Sequence, residues 1–229
     1  MPEQETTVAG TSYQSTTSEP AFQEAEDARR SAPAAQRNRE PIREVLARVL
    51  PSTGTVLEIA AGTGEHAVAF AAALPGVTWQ PTDPEPGMRA SIAAHARAEG
   101  LTNVAEPLDL DVTGEAWPVE RADAMVCINL LHIAPWAATQ GLFAGAARLL
   151  PIGAPVVVYG PFKRDRAHTS ESNANFDAQL REKNPAWGIR DIAEVEAEAG
   201  HHGIALDEIA EMPANNLTLV LRVAPDRRA

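Results

Sequence analysis

Short apolar runs alternate with longer segments of helical periodicity along most of the chain. Residues 36–50 place Ile42, Val45, Leu46 and Val49 at helical spacing, which predicts an amphipathic helix stopped by Pro51. Residues 55–60 form an apolar run beside a glycine and predict a buried strand, and residues 65–74 predict an alanine-rich helix ended by Pro75-Gly76. The alternation continues with strands over 77–82, 104–110, 122–129 and 154–160, and with helices over 88–99 and 136–150. Strands separated by helices of this length imply right-handed βαβ units and a parallel sheet. The end of the chain differs. A helix over 191–199 is followed by strands over 204–210 and 216–223, joined by a turn too short for a parallel crossover. The pattern predicts an α/β, Rossmann-like sheet of seven strands, mostly parallel, closed by a C-terminal antiparallel pair.

Composition narrows the setting. At 229 residues with 45% hydrophobic content, the chain suits one large domain, expected over residues 31–229. Residues 1–30 are rich in Ser, Thr, Glu and Gln, and predict a disordered tail with no secretory signal. No apolar run approaches a membrane span, and the single cysteine, Cys127, suits a reducing cytoplasm. A formal net charge of -12 repels phosphate backbones, so nucleic acid is a disfavoured partner and a small-molecule substrate is expected. The oligomeric state is open.

The strongest motif is Glu58-Ile59-Ala60-Ala61-Gly62-Thr63-Gly64, between a predicted buried strand and a helix N-terminus. Glycines there let the backbone turn sharply and approach a ligand, and the helix start offers free N–H groups. Asp83, at the tip of the second strand, suits a ribose diol, and Asp111, after the third, suits an adenine amino group. A tight turn with two helix-capping acids is the plainer alternative for each feature alone. Gly62-x-Gly64-x-x-Ala67 also fits a relaxed dinucleotide fingerprint. Glu58, four residues before Gly62, and the terminal antiparallel pair favour S-adenosylmethionine (SAM), with S-adenosylhomocysteine (SAH) as product, on a class I methyltransferase fold.

Longer blocks carry a more specific likeness: SAPAAQRN at 31–38, LEIAAGTGEHA at 57–67, WQPTD at 79–83, NLLHIAPW at 129–136, YGPFK at 159–163, SNANFD at 172–177, NPAWGIRD at 184–191 and MPANNL at 212–217. In these the chain resembles the methyltransferase-like 26 family from about Ser31 to Arg222. The resemblance implies the fold and SAM binding, and no particular substrate. It would place the cofactor on Glu58, Gly62, Gly64, Asp83, Asp111 and Asn129. Arg166 stands where the family tends to have glycine.

Candidate acceptor-side residues lie after the fourth and fifth strands. Asn129 ends the fourth strand beside the expected methyl position. His132 is placed at the crevice mouth, where an ordinary pKa near 6.5 would suit a base, a structural histidine being the alternative. Trp136 is either a pocket wall or core. Tyr159 ends the fifth strand. Residues 161–191 read as a long insertion, with Lys163, Arg164 and Arg166 as a basic cluster and Asn173, Phe176, Asp177 and Trp187 as pocket-forming groups. No HExxH or paired cysteine spacing occurs, so no metal is expected. The sequence therefore points to a SAM-dependent methyltransferase acting on a small anionic molecule. A non-catalytic SAM or SAH binder and an NAD(P)-dependent oxidoreductase are the alternatives.

Overall fold

The protein is described here by a computed structural model, which covers residues 28–225. The expected tail over residues 1–30 thus falls outside the described residues, apart from its last three. Arg30 is already anchored, its N–H donating to Ser91 Oγ at 2.8 Å.

The chain runs α1 (Pro33–Val49), β1 (Gly54–Ile59), α2 (Glu65–Ala73), β2 (Val77–Pro81), α3 (Pro86–Ala98), β3 (Ala124–Ile128), α4 (Trp136–Leu149) and β4 (Pro155–Gly160). After an insertion come α6 (Ile192–His201), β8 (Ile204–Met212) and β9 (Asn216–Val223). The main sheet has the order β2-β1-β3-β4-β9-β8, with β9 antiparallel to both β4 and β8 and the other pairs parallel. An α/β sheet with a C-terminal antiparallel pair is therefore present as the hydrophobic pattern predicted.

The sheet has six strands, which corrects the expected seven. Residues 104–110 touch the β2 edge through two isolated parallel bridges, Trp79 to Val104 and Thr82 to Leu108. Ala105 N–H donates to the Trp79 carbonyl at 2.9 Å, and Leu108 N–H to the Pro81 carbonyl at 3.1 Å. Between them the ladder needs N–H groups at 81 and 107. Both positions are proline, so neither bond can form.

Alternation along β1 divides the interior. Leu57 and Ile59 join Met125, Phe143 and Val158 in the core beneath α4 and α6, while Val56 joins Phe70, Trp79 and Val126 in the core beneath α1, α2 and α3. The α1 helix keeps its place by burying Ile42 and Leu46, one turn apart, against the second core.

The insertion is not a loop. It holds a small sheet of β5 (Phe162–Arg164), β6 (Ala167–His168) and β7 (Arg190–Asp191), and the helix α5 (Glu171–Lys183). Ser170 caps α5 by accepting from Asn173 N–H at 3.1 Å. Its buried face is Asn173, Asp177 and Leu180, at spacings of four and three but with two polar members. That polarity hides the helix from a search for apolar periodicity.

Candidate active site

The chain turns out of β1 through left-handed conformations at Ala60, Gly62 and Gly64, whose φ values are 53°, 58° and 90°. Gly64 must be glycine for space as well, since a Cβ there would lie 2.6 Å from Ile92 Cα on α3. At Gly62 a Cβ would meet nothing within 4 Å, so that backbone faces open space. Asp83 fixes the turn from below: Gly62 N–H donates to its Oδ2 at 3.0 Å and Glu85 N–H to its Oδ1 at 2.9 Å.

Above this turn lies a crevice of about 260 Å³, walled by Glu58, Ala60, Gly62, Met88, Asn129 and Ile133 and roofed by Ala32, which caps α1, and by Ala34 and Ala35 in its first turn. The roof is fastened to the α2 start, where Glu65 Oε2 accepts from Ala32 N–H at 2.6 Å. Glu58 is 1% exposed and among the described residues its carboxyl accepts one bond, from Trp79 Nε1 at 2.7 Å. Burial, with a smaller contribution from the Asp83 charge, pushes its carboxyl up to about 8. Burial also raises the Asp83 carboxyl, against the two backbone bonds that lower it. His66 bonds Asn38 Oδ1 at 2.7 Å, and burial brings it down to about 4.

A second cavity of about 680 Å³ adjoins the first. Its walls include Arg37, Asn38, Asn129, His132, Tyr159, Asn173, Phe176 and Asn216. The two cavities share Ala34 and Asn129. Asn129 adopts a left-handed φ of 60° at the end of β3. A Cβ built on Gly160 would stand 3.3 Å from His132 Nδ1 and 3.8 Å from Asn129 Oδ1, so both side chains converge on one glycine. The His132 ring meets Phe176 edge-on at 5.7 Å. Burial first, then the Arg190 charge, lowers His132 to about 4, well under the value expected from sequence, and leaves the ring neutral at physiological pH. Burial raises the Tyr159 phenol, and the Asn38 and Asn216 side chains beside it oppose the rise.

Of the residues singled out by sequence, Glu58, Ala60, Gly62 and Asn129 line the first cavity, with Gly64 and Asp83 shaping its turn. Asn129, His132, Tyr159, Asn173 and Phe176 line the second. The remainder lie elsewhere. Asp111 is exposed and accepts from Thr113 N–H at 2.9 Å and Thr113 Oγ1 at 2.8 Å, an Asx-type turn. Trp136 packs beside Arg190, whose guanidinium carbon sits 5.7 Å from the ring centre, and it lines a separate depression with Glu194 and His201. Lys163 and Asp177 pair with each other at 3.0 Å. Asp177 also accepts from Ile189 N–H at 2.6 Å and lies 3.3 Å from Arg181 Nε. Burial would raise the Asp177 carboxyl, but the Lys163 bond, the Ile189 N–H and the two cations outweigh it and hold the group below its usual value. Arg164 is engaged by Glu211. Trp187 is half-buried in a turn closed by its own N–H on the Asn184 carbonyl at 2.9 Å.

Arg37, Asn38, Met88 and Asn216 are wall residues that sequence reasoning passed over. On α1, Arg37 and Asn38 fall outside the apolar positions that predicted the helix, and only the SAPAAQRN block included them. Among the described residues no cluster of His, Cys, Asp or Glu could hold a metal ion, and no helix is long and apolar enough to cross a membrane.

The model of a family described as "Protein of unknown function (DUF938)" matches residues 29–223. Solved structures share the fold at low identity. An O-methyltransferase family protein from Burkholderia thailandensis superposes with a TM-score of 0.72 at 17% identity, over 85% of this chain and 57% of that one. The mitomycin 7-O-methyltransferase MmcR gives 0.69 at 18%, over 81% and 54%. CalO1, a methyltransferase in calicheamicin biosynthesis solved in its SAH-bound form, gives 0.66 at 19%, over 80% and 54%. The fold is that of class I methyltransferases, and the chain spans little more than half the length of these proteins.

Proposed function

We propose that this chain, which belongs to the DUF938 family, is a SAM-dependent methyltransferase acting on a small, anionic molecule. The observation that carries this reading is the junction of two cavities at Ala34 and Asn129, one built on a glycine turn and one lined with polar acceptor-side groups. The finer likeness to the methyltransferase-like 26 family belongs to the same reading, as does a cytoplasmic location, which the lone buried Cys127 suits.

The first cavity fits the donor. Gly62 presents bare backbone to it, and Glu58 is a buried acid with one neutral partner, which the cationic end of SAM would satisfy. Glu58, Ala60, Gly62 and Gly64 would hold the methionine portion and Asp83 the ribose. When bound, SAM supplies an electrophilic methyl group and departs as SAH, its sulfur keeping the electron pair of the broken bond. The protein's task is then to place the acceptor atom about 3–3.5 Å from that methyl and keep water out. Asn129 and His132, converging on Gly160, orient the acceptor. Phe176 and Tyr159 wall it.

Two measurements test this. SAM or SAH at about 100 times its dissociation constant should stabilise the fold by roughly 2.7 kcal/mol; stabilisation by NAD(H) alone would replace this reading with an oxidoreductase. Methyl-labelled SAM and a small-molecule extract should yield a labelled product. Tight SAM binding with no product from any extract would leave a non-catalytic binder.

A further inference from the structure

The second cavity has a charge pattern of its own. Arg37 stands on its wall one helical turn beyond Ala34, the residue that both cavities share. Among the described residues Arg37 makes no ion pair or hydrogen bond, whereas Lys163 and Arg164 are engaged by Asp177 and Glu211. Among the described residues, too, no Asp or Glu lines the cavity. A guanidinium beside a cavity that holds no acid of its own matches an anion, and its planar fork matches a carboxylate in two parallel bonds.

The same inventory bears on the acceptor atom. Among the described residues His132 has no carboxylate partner; the charge that acts on it is Arg190, a cation. A ring so placed is a poor base for an alcohol or phenol, whose proton must leave. An acceptor that arrives ionised needs no base.

We propose that the larger cavity recognises small carboxylic acids as anions anchored by Arg37, and that a carboxylate oxygen is the methyl acceptor. This rests on the methyltransferase reading above. The balance closes without a proton: an oxygen lone pair becomes the new O–CH₃ bond, the sulfur–methyl pair stays on sulfur, and the product is a neutral methyl ester. Carboxylate and sulfonium neutralise each other in that step, so no net charge is left on the reacting atoms.

Anchoring is tested without any donor, by ligand-observed NMR with acetate and benzoate against their neutral isosteres acetamide and benzamide. The acids should bind at millimolar concentration and the amides should not. Arg37→Gln should weaken benzoate at least tenfold with an unchanged melting temperature, because among the described residues the side chain makes no hydrogen bond or ion pair. Equal binding of the amides, no binding of either acid, or full affinity in Arg37→Gln overturns the anchor. For the acceptor atom, product labelled from methyl-labelled SAM and the extract is treated with alkali. Release of labelled methanol is expected of an ester. Alkali-stable label overturns the carboxylate acceptor while leaving the methyltransferase reading intact. Absence of any label removes that reading and the ester with it, and leaves the anchor to the NMR result.

Discussion

The backbone N–H of Gly188 donates to the carbonyl of His132 at 3.0 Å, tying the insertion to the loop that carries the histidine. Arg190 adds two bonds to the same loop, to the Leu131 carbonyl at 3.0 Å and the Ala134 carbonyl at 2.6 Å. The insertion thus sets the position of His132 as well as walling the cavity through Phe176. Arg190→Gln should raise the His132 midpoint from about 4 toward its ordinary value, since one of the two causes of the depression is removed. NMR titration of the ring protons measures this; an unchanged midpoint would leave burial as the sole cause. His132→Ala should slow turnover more than it weakens acceptor binding, and the reverse would make the ring a packing element.

Asp177 reads from sequence as a pocket group and from structure as a hub. Removing it strands Lys163 and the Ile189 N–H in a half-dry interior. Asp177→Ala should therefore cost about 3 kcal/mol of stability, in the range for breaking a buried pair from one side. Chemical denaturation gives the value. A loss under about 1 kcal/mol together with a raised KM would return Asp177 to the substrate.

The two glycines of the turn should separate stability from binding. Gly64→Ala forces a Cβ to 2.6 Å from Ile92 Cα at a φ of 90°, and should cost more than about 2 kcal/mol. Gly62→Ala meets no atom, so its stability loss should stay at the 1–2 kcal/mol typical of a left-handed alanine, about the same as strain alone. Its effect on SAM affinity should be at least tenfold, because the new methyl group enters the crevice. Asp83→Ala should weaken SAM by a similar factor, about 1.4 kcal/mol, read by calorimetry.

Three buried groups shape the pH dependence of folding. His66 and His132 titrate near 4 in the folded chain against 6.5 unfolded, and Glu58 near 8 against 4.5. Between pH 4.5 and 6.5 the unfolded chain holds two histidine protons and the folded chain one glutamic proton, so stability rises with pH at about 1.4 kcal/mol per unit. Above 6.5 only Glu58 remains protonated in the folded state, and stability falls at a similar rate until about pH 8. Denaturation at pH 5.5, 6.5 and 7.5 should place the maximum near 6.5, and Glu58→Gln should flatten the alkaline side.

Sequence pattern reached the parallel strands and the glycine turn because both depend on local chemistry: apolar runs for β1, β3 and β4, and the positive φ at Gly62 and Gly64. It overreached at 104–110, where apolar content suggested a strand but Pro81 and Pro107 withhold the donors. It left the basic cluster between an anion site and a solvated loop, since nothing local reveals that Asp177 and Glu211 return to Lys163 and Arg164 from 14 and 47 residues away. Arg37 was passed over for the converse reason. Arg37 is exposed in the structure as well, and only the position of α1 beside a cavity distinguishes it from other charges on helix surfaces.

That roof has an energetic consequence. Ala34 borders both cavities, and the turn that carries it is pinned by Glu65 at Ala32 and by Ser91 at Arg30. A ligand on either side leans on the same turn and the same two fastenings. Whatever factor one ligand applies to the affinity of the other must then be returned in full, because the doubly filled state has one free energy whichever side fills first. Order of addition is left to kinetics.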